Sequence, residues 1–260
     1  MRQLIKSILG ERLVNWANSV KSNYLAKQIP IDSVETIAKR KQFYSQFVQS
    51  NNLVFDVGAN YGNRTQPLLN IGAKVVAIEP QKACYEYLQK NFGNTIELVT
   101  FGLGAEEDIK DFYVSNASTI SSFSKDWIDA VKQDRFKSYT WSEPIKIKIT
   151  TLDKLIEKFG VPQFIKIDVE GYELEVLKGL TKPINYISIE YTVPEQTQRA
   201  IDCIKQIEKY NQNIECNYSK DESMQFALEN WQSVTAYIQH VNSEEFIATG
   251  FGDIYIRSIQ

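Results

Sequence analysis

Two periodicities alternate along the chain from about residue 53 onward. LVFDVG at 53–58 and KVVAIEP at 74–80 are short, nearly continuous apolar runs, and Thr95 to Thr100 is a third strand-length segment with Ile96, Leu98 and Val99 apolar. Runs of that length read as strands buried on both faces. Between them, about 62–70 and Ala83 to Lys90 carry their apolar positions at helical spacing. The series then resumes. TLDKLIEKFG at 151–160 is a helix with Thr150 or Thr151 as its cap, and PQFIKIDVEG at 162–171 is a fourth strand with its turn. A helix over about 172–180, a fifth strand INYISIE at 184–190 and a helix from Glu195 to Tyr210 complete it, the last with Ala200, Ile201, Ile204 and Ile207 inward. This alternation predicts an α/β fold, a mostly parallel sheet with helices on both faces. Right-handed crossovers then gather the strand ends on one rim, where open sheets bind ligands.

Three regions depart from the pattern. Residues 1–50 lack strand alternation and read as an N-terminal helical extension to a domain spanning 51–260. Leu4, Ile5, Ile8, Leu9 and Leu13 form a helical stripe suited to packing on the body or a neighbour, peripheral membrane contact being the alternative. Asp32 followed by Glu35 resembles a capping box for a helix facing inward through Val34, Ile37, Ala38, Phe43 and Phe47. An insertion spans about 110–149, where KDFYV at 110–114 and IKIKI at 145–149 alternate as an antiparallel ribbon would. Its interior is rich in Ser, Thr and aromatic residues, with a helix expected around Trp127 to Val131. The tail holds strand-like pieces at Ile214–Tyr218, Val234–Gln239 and Asp253–Ser258, expected as antiparallel C-terminal strands.

Composition narrows the functions. Among 260 residues, 29 are Lys or Arg and 32 are Asp or Glu, a net charge of -3 without the basic footprint of a nucleic-acid binder. The 3 cysteines are odd in number and far apart, so neither a disulfide framework nor a thiolate zinc site is implied, and a reducing, cytoplasmic compartment is expected. No segment is long and apolar enough for a membrane span, and the first residues are too charged for a secretory signal. With His240 the only histidine, histidine chemistry would have to use that residue. Oligomeric state is left open.

The candidate chemistry lies on the predicted rim. In FDVGANYG, Asp56 ends a strand and Gly58 and Gly62 bracket the turn into a helix. Asn60 stands where a dinucleotide fingerprint needs glycine, and no P-loop lysine follows. Glu79 ends the second strand, roughly the 20 residues further on at which an acidic side chain takes ribose hydroxyls. A Rossmann-like nicotinamide oxidoreductase and a non-catalytic binding protein remain the alternatives to a non-dinucleotide cofactor enzyme.

VFDVGANYGNRT, VVAIEP, TLDKLI and above all FIKIDVEGYELEVLKG resemble the FkbM family of S-adenosylmethionine-dependent methyltransferases, over about residues 50–192. The resemblance implies a Rossmann-like class I methyltransferase fold, S-adenosyl-L-methionine as cofactor, and O-methylation of a hydroxyl on a carbohydrate or glycosylated small molecule. It matches Asp56, Gly58, Asn60 and Gly62 to the motif around the donor's methionine part, Glu79 with Pro80 beside it to the ribose, and Gly102 and Leu103 to the adenine. Asp168 and Glu170 match the acidic pair beside the transferred methyl, Asp168 as donor or acceptor clamp and Glu170 for acceptor orientation or proton removal. Lys166, unusual in a central strand, is either catalytic or paired with a carboxylate, and Glu190 with Tyr191 at the end of the fifth strand is placed on the acceptor pocket. A divalent ion bridging Asp168 and Glu170 stays open, with no metal ligand assigned. The long insertion and the scarcity of histidine depart from many relatives and leave acceptor and base undetermined.

Overall fold

The structure is a computed structural model that describes residues 31–133 and 135–259. The Leu4–Leu13 stripe lies outside the described residues. Five strands, β1 (Leu53–Val57), β2 (Lys74–Ile78), β3 (Ile96–Val99), β7 (Phe164–Ile167) and β8 (Tyr186–Thr192), run parallel in the order β3-β2-β1-β7-β8. Beyond β8 the sheet continues through β11 (Phe251–Ser258), antiparallel to both β8 and β9 (Ile214–Lys220), and ends at β10 (Gln232–Ser233). This is the mostly parallel sheet with antiparallel C-terminal strands expected of a Rossmann-like methyltransferase fold.

Alternation along each strand sends side chains to two cores. On one face, Val57, Ile78, Ile167 and Ile189 meet α5 (Leu152–Phe159), α6 (Glu173–Lys178) and α7 (Thr197–Glu208). On the other, Val54, Ala77 and Phe164 meet α1 (Val34–Tyr44), whose Phe43 and Tyr44 are buried, together with α2 (Thr65–Ile71) and α3 (Lys82–Phe92). The expected ribbon exists: β5 (Asp108–Phe112) pairs antiparallel with β6 (Ile145–Thr150), and β4 (Gly102–Leu103) joins β6 to make a separate three-stranded sheet. Between β5 and β6, α4 (Lys125–Val131) buries Trp127 and Ile128 in a small core of the insertion's own.

Three local expectations are corrected. Of the face expected for α1, Phe43 and, just past its end, Phe47 are buried, with Arg40 and Tyr44 beside them, while Val34 and Ala38 are exposed. Val234–Gln239, read as a strand, lies in the helix α8 (Val234–Val241), followed by the short α9 (Glu244–Ile247). Its buried positions Val234, Tyr237 and Val241 recur at helical spacing, and the Ser233 side chain caps it by accepting from Ala236 N. At the start of α1, Ser33 rather than Asp32 is the cap, accepting from Thr36 N at 3.2 Å. Asp32 instead pairs with the buried Arg40, which also reaches Glu222 at 3.0 Å.

Candidate active site

Strand order reverses between β1 and β7, so their C-terminal ends flank a crevice of the kind that binds ligands in open sheets. The two ends approach very closely there. Gly58 has φ +81, and a Cβ on it would overlap the backbone carbonyl of Asp168. Only glycine fits both constraints. The crevice opens into a cleft of about 660 Å³ with its open mouth included. Gly58, Asn60, Glu79, Pro80, Gly102, Leu103, Asp168 and Glu170 all line it. The structure thus brings eight of the sequence-designated residues to one cavity. Asp56, Gly62, Lys166 and Glu190 are not on that lining. Asp56 is buried beneath it, where Oδ2 accepts from Thr65 Oγ1 at 2.6 Å. A Cβ on Gly62 would overlap the Phe92 ring, so this glycine lets the turn pack on α3.

Glu79, only 2% exposed, is gripped by backbone. Oε2 accepts from Asn60 N at 2.8 Å and Oε1 from Gln81 N at 2.7 Å. Each oxygen keeps a lone pair for a ligand hydroxyl. Burial pushes the carboxyl up to about 7, although the two amides oppose the shift. Asn60 reaches this position through a left-handed backbone, φ +48. Beside it stand side chains that sequence reasoning had not placed. Gln81 Nε2 donates to Ser118 O and Ser121 Oγ donates to Gln81 Oε1, each at 2.9 Å. Ser118, Ser121 and Phe123 of the insertion thereby wall the cleft on the Glu79 side. Gln81 was within reach of sequence reasoning, since it directly follows Glu79-Pro80; the serines carried no such signal.

The far wall is acidic. Carboxylate oxygens of Asp168, Glu170 and Glu190 lie within 4.8 Å of one another. Lys166, 1% exposed, reaches Asp168 Oδ2 at 2.5 Å from below. Burial alone would raise the Asp168 carboxyl, but the Lys166 ammonium outweighs it and holds the group below its ordinary value. Burial likewise would lower Lys166, and Asp168 with Asp253 raises it instead. Glu170 and Glu190 make no ion pair among the described residues, and the same Lys166 charge opposes their shift only weakly. Burial first, then the Asp168 charge, drives both far above the ordinary carboxylate value. Protons on these two, or a hard cation such as magnesium, balance the cluster.

The turn bearing Glu170 is strained and held from several sides. Glu170 has φ +55, unusual for a side-chain-bearing residue and frequent at functional sites. Ser122 Oγ donates to Glu170 O at 2.7 Å, and a Cβ on Gly171 would overlap the Trp127 ring packed on it. Glu173 Oε1 accepts from Gly171 N at 3.0 Å and Val169 N at 3.2 Å and so ties the turn, while the cap position of α6, Tyr172, makes no side-chain capping bond. Arg199 donates to the Gly171 carbonyl from α7. His240 sits elsewhere on α8, its ring 5.3 Å from Tyr218 and 5.6 Å from Phe246.

A sheet crevice that joins a ribose-competent carboxylate to an acidic rim has the layout of a nucleotide-type cofactor site. Residues 56–226 match the methyltransferase FkbM domain, and the chain belongs to that family. Its cofactor is S-adenosylmethionine, and the lining fits it: the amide-held Glu79, the side-chain-free Gly58 and apolar walls at Ile78, Leu103 and Phe123. Among curated relatives, the hexuronic acid methyltransferase AglP of Haloferax volcanii is 29% identical over 150 residues, covering 55% of this chain and 56% of the relative. The chain therefore spans little more than half of that relative's length. Methyltransferase sdnD of Sordaria araneosa is 25% identical over 205 residues, covering 66% and 74% respectively. Among solved structures, precorrin-6y C5,15-methyltransferase of Geobacter metallireducens aligns at TM-score 0.46 and 10% identity over 90% of this chain and 91% of that one. No helix among the described residues is long and apolar enough to cross a membrane.

Proposed function

We propose that the protein transfers a methyl group from S-adenosylmethionine to a hydroxyl oxygen of a carbohydrate or glycosylated small molecule. The observation that carries the reading is the sharing of one cleft by Glu79 and Gly58 on one side and Asp168 and Glu170 on the other. A sugar acceptor draws support from the hexuronic acid in the name of the archaeal relative.

When bound, the cofactor supplies an electrophilic methyl on a positively charged sulfur. The chain's tasks are alignment and proton handling. Glu79 would accept from the ribose hydroxyls, and the apolar wall at Leu103 and Phe123 would cover the adenine. Asp168, held ionised by Lys166, supplies a fixed acceptor at the reacting end of the cleft. Glu170 and Glu190 stand beside it, and their raised proton affinity makes either a stronger base than a solvated carboxylate. Whichever of the two is ionised would take the acceptor's hydroxyl proton as the carbon–oxygen bond forms and the methyl carbon–sulfur bond breaks, leaving S-adenosylhomocysteine, and solvent at the mouth of the cleft would receive the proton afterwards.

The test is incubation of purified protein with isotopically labelled donor and cell extract, followed by mass spectrometry to identify the labelled product and the methylated atom. With that product in hand, Glu170→Gln is expected to lower kcat about 100-fold while the affinity for S-adenosylhomocysteine holds. Asp168→Asn is expected to lower turnover at least as much. Unchanged rates in both variants, or a methyl found on nitrogen or carbon, would overturn the reading.

A further inference from the structure

A second, smaller cavity adjoins the Glu170–Gly171 turn: Glu170 lines the donor cleft and Gly171 lines this one. It encloses about 270 Å³ counted to its mouth, and its lining includes Gly171, Glu173, Glu190, Thr192, Gln196 and Arg199. Most of that volume is open mouth, so the recess takes one small polar group and not a whole sugar ring. Glu190 connects the two cavities: its side chain lines the small one, and its carboxylate lies within 4.8 Å of those of Asp168 and Glu170 on the donor cleft.

Arg199 is the unexplained group in this cavity. A guanidinium offers five donors, and in a half-buried position it ordinarily finds a carboxylate. Among the described residues no carboxylate oxygen lies within 4.0 Å of it, although Glu173 and Glu190 share the cavity. Glu173 spends one oxygen on the Gly171 and Val169 amides, and Glu190 belongs to the acidic cluster. The hydrogen bond Arg199 does make goes to the Gly171 carbonyl, leaving most of its fork unmatched. The N terminus of α7 adds to the positive side of the balance. Its cap residue Gln196 makes no side-chain capping bond and lines the same cavity. The two glutamates oppose an anion less than exposed ones would, because burial raises the proton affinity of both, Glu173 to about 7.

We infer that this cavity is an anion subsite for the acceptor, in which Arg199 and the α7 N terminus hold a carboxylate or phosphate carried by the sugar. The inference rests on the methyl-transfer reading. An anionic substituent seated there leaves the rest of the sugar over the Glu170–Gly171 turn, with a hydroxyl presented to the acidic cluster. Arg199 then sets acceptor choice and orientation without touching the donor.

The experiment titrates the protein, saturated with S-adenosylhomocysteine, with D-glucuronate, glucose 6-phosphate and glucose by calorimetry. At least one anionic sugar is expected to bind about tenfold or more tighter than glucose, and the two anionic arms tell carboxylate from phosphate. Arg199→Met removes that preference, leaves S-adenosylhomocysteine affinity unchanged, and Arg199→Lys restores part of it. If Arg199 only props the Gly171 turn, the Met variant weakens glucose and the anions alike, which overturns the inference. So does equal binding of all three sugars, or absence of anion binding, by the wild-type complex. Failure of S-adenosylhomocysteine to bind at all would overturn the methyl-transfer reading itself.

Discussion

The two walls of the cleft are built by different means. On the donor side, backbone does the holding: the Asn60 and Gln81 amides fix Glu79, and a glycine without a side chain lets β1 approach β7. All of these positions follow directly from the ends of β1 and β2, adjacent strands in register from Leu53↔Lys74 to Val57↔Ile78. On the acidic side, long-range side-chain contacts do the holding. Lys166 below, Ser122 and Trp127 from the insertion, and Arg199 from α7 converge on one turn. A wall made of backbone resists local change until the backbone itself is disturbed. A wall made of converging side chains can be adjusted one contact at a time, and that is where acceptor choice is expected to reside.

The largest expected effect comes from disturbing the backbone wall. Gly58→Ala introduces a Cβ that overlaps the Asp168 carbonyl at a residue whose φ is +81. Neither strand end can move away without breaking the ladder from Asp168 N to Val57 O. A loss of about 3 kcal/mol or more is expected, read as a lower urea midpoint together with abolished S-adenosylhomocysteine binding. A variant as stable as the parent, with donor affinity intact, would show that the close approach at Gly58 is dispensable and would break the comparison.

Glu79 gives the next largest effect. Glu79→Gln keeps one carbonyl acceptor but replaces the other with an NH2 facing an amide donor, so donor affinity should fall about 10- to 100-fold. The same residue sets a pH dependence. Its carboxyl is raised to about 7, and acceptance of two hydroxyl hydrogens favours the ionised form. Donor affinity in the wild type is therefore full above pH 7 and weakens as pH falls through that value, by up to about tenfold per unit. Calorimetry over about pH 5.5 to 8.5 should show this slope in the wild type and a flatter profile in Glu79→Gln. Equal slopes in both proteins would assign the titration to the acidic rim instead.

How much could be read from the sequence follows the same division. Strands β1, β2 and β7 were legible because burial on both faces leaves nearly continuous apolar runs, β3 and β8 through their place in the alternation, and Gly58 and Glu79 because they sit at fixed offsets from β1 and β2. Asp168 and Glu170 were legible through FIKIDVEG. Arg199 was not, because nothing in EQTQRAID ties an arginine on a surface-like helix to a turn 28 positions earlier in the chain. Ser118, Ser121 and Ser122 were hidden for the same reason: a serine-rich insertion looks identical whether it faces water or a cleft. Val234–Gln239 misled through β-branched alternation, and its true helical spacing emerges only when Tyr237 and Val241 are seen buried together.

The smallest effect tests the acidic wall by a single contact. Ser122 is fully buried; its Oγ donates to Glu170 O at 2.7 Å and accepts from Ser124 N at 2.8 Å. Ser122→Ala leaves both backbone groups short of a partner, at a cost of about 1–2 kcal/mol. The left-handed Glu170 loses one of the contacts that impose its geometry, so kcat should drop a few-fold through misplacement of its carboxylate. Neither Gly58 nor Glu79 touches Ser122, and S-adenosylhomocysteine affinity is expected to stay at the wild-type value. Calorimetry and single-turnover rates on the same preparation separate the two quantities. If donor affinity falls in step with kcat, the insertion supports both walls as one unit, and the independence of acceptor handling from donor binding is lost.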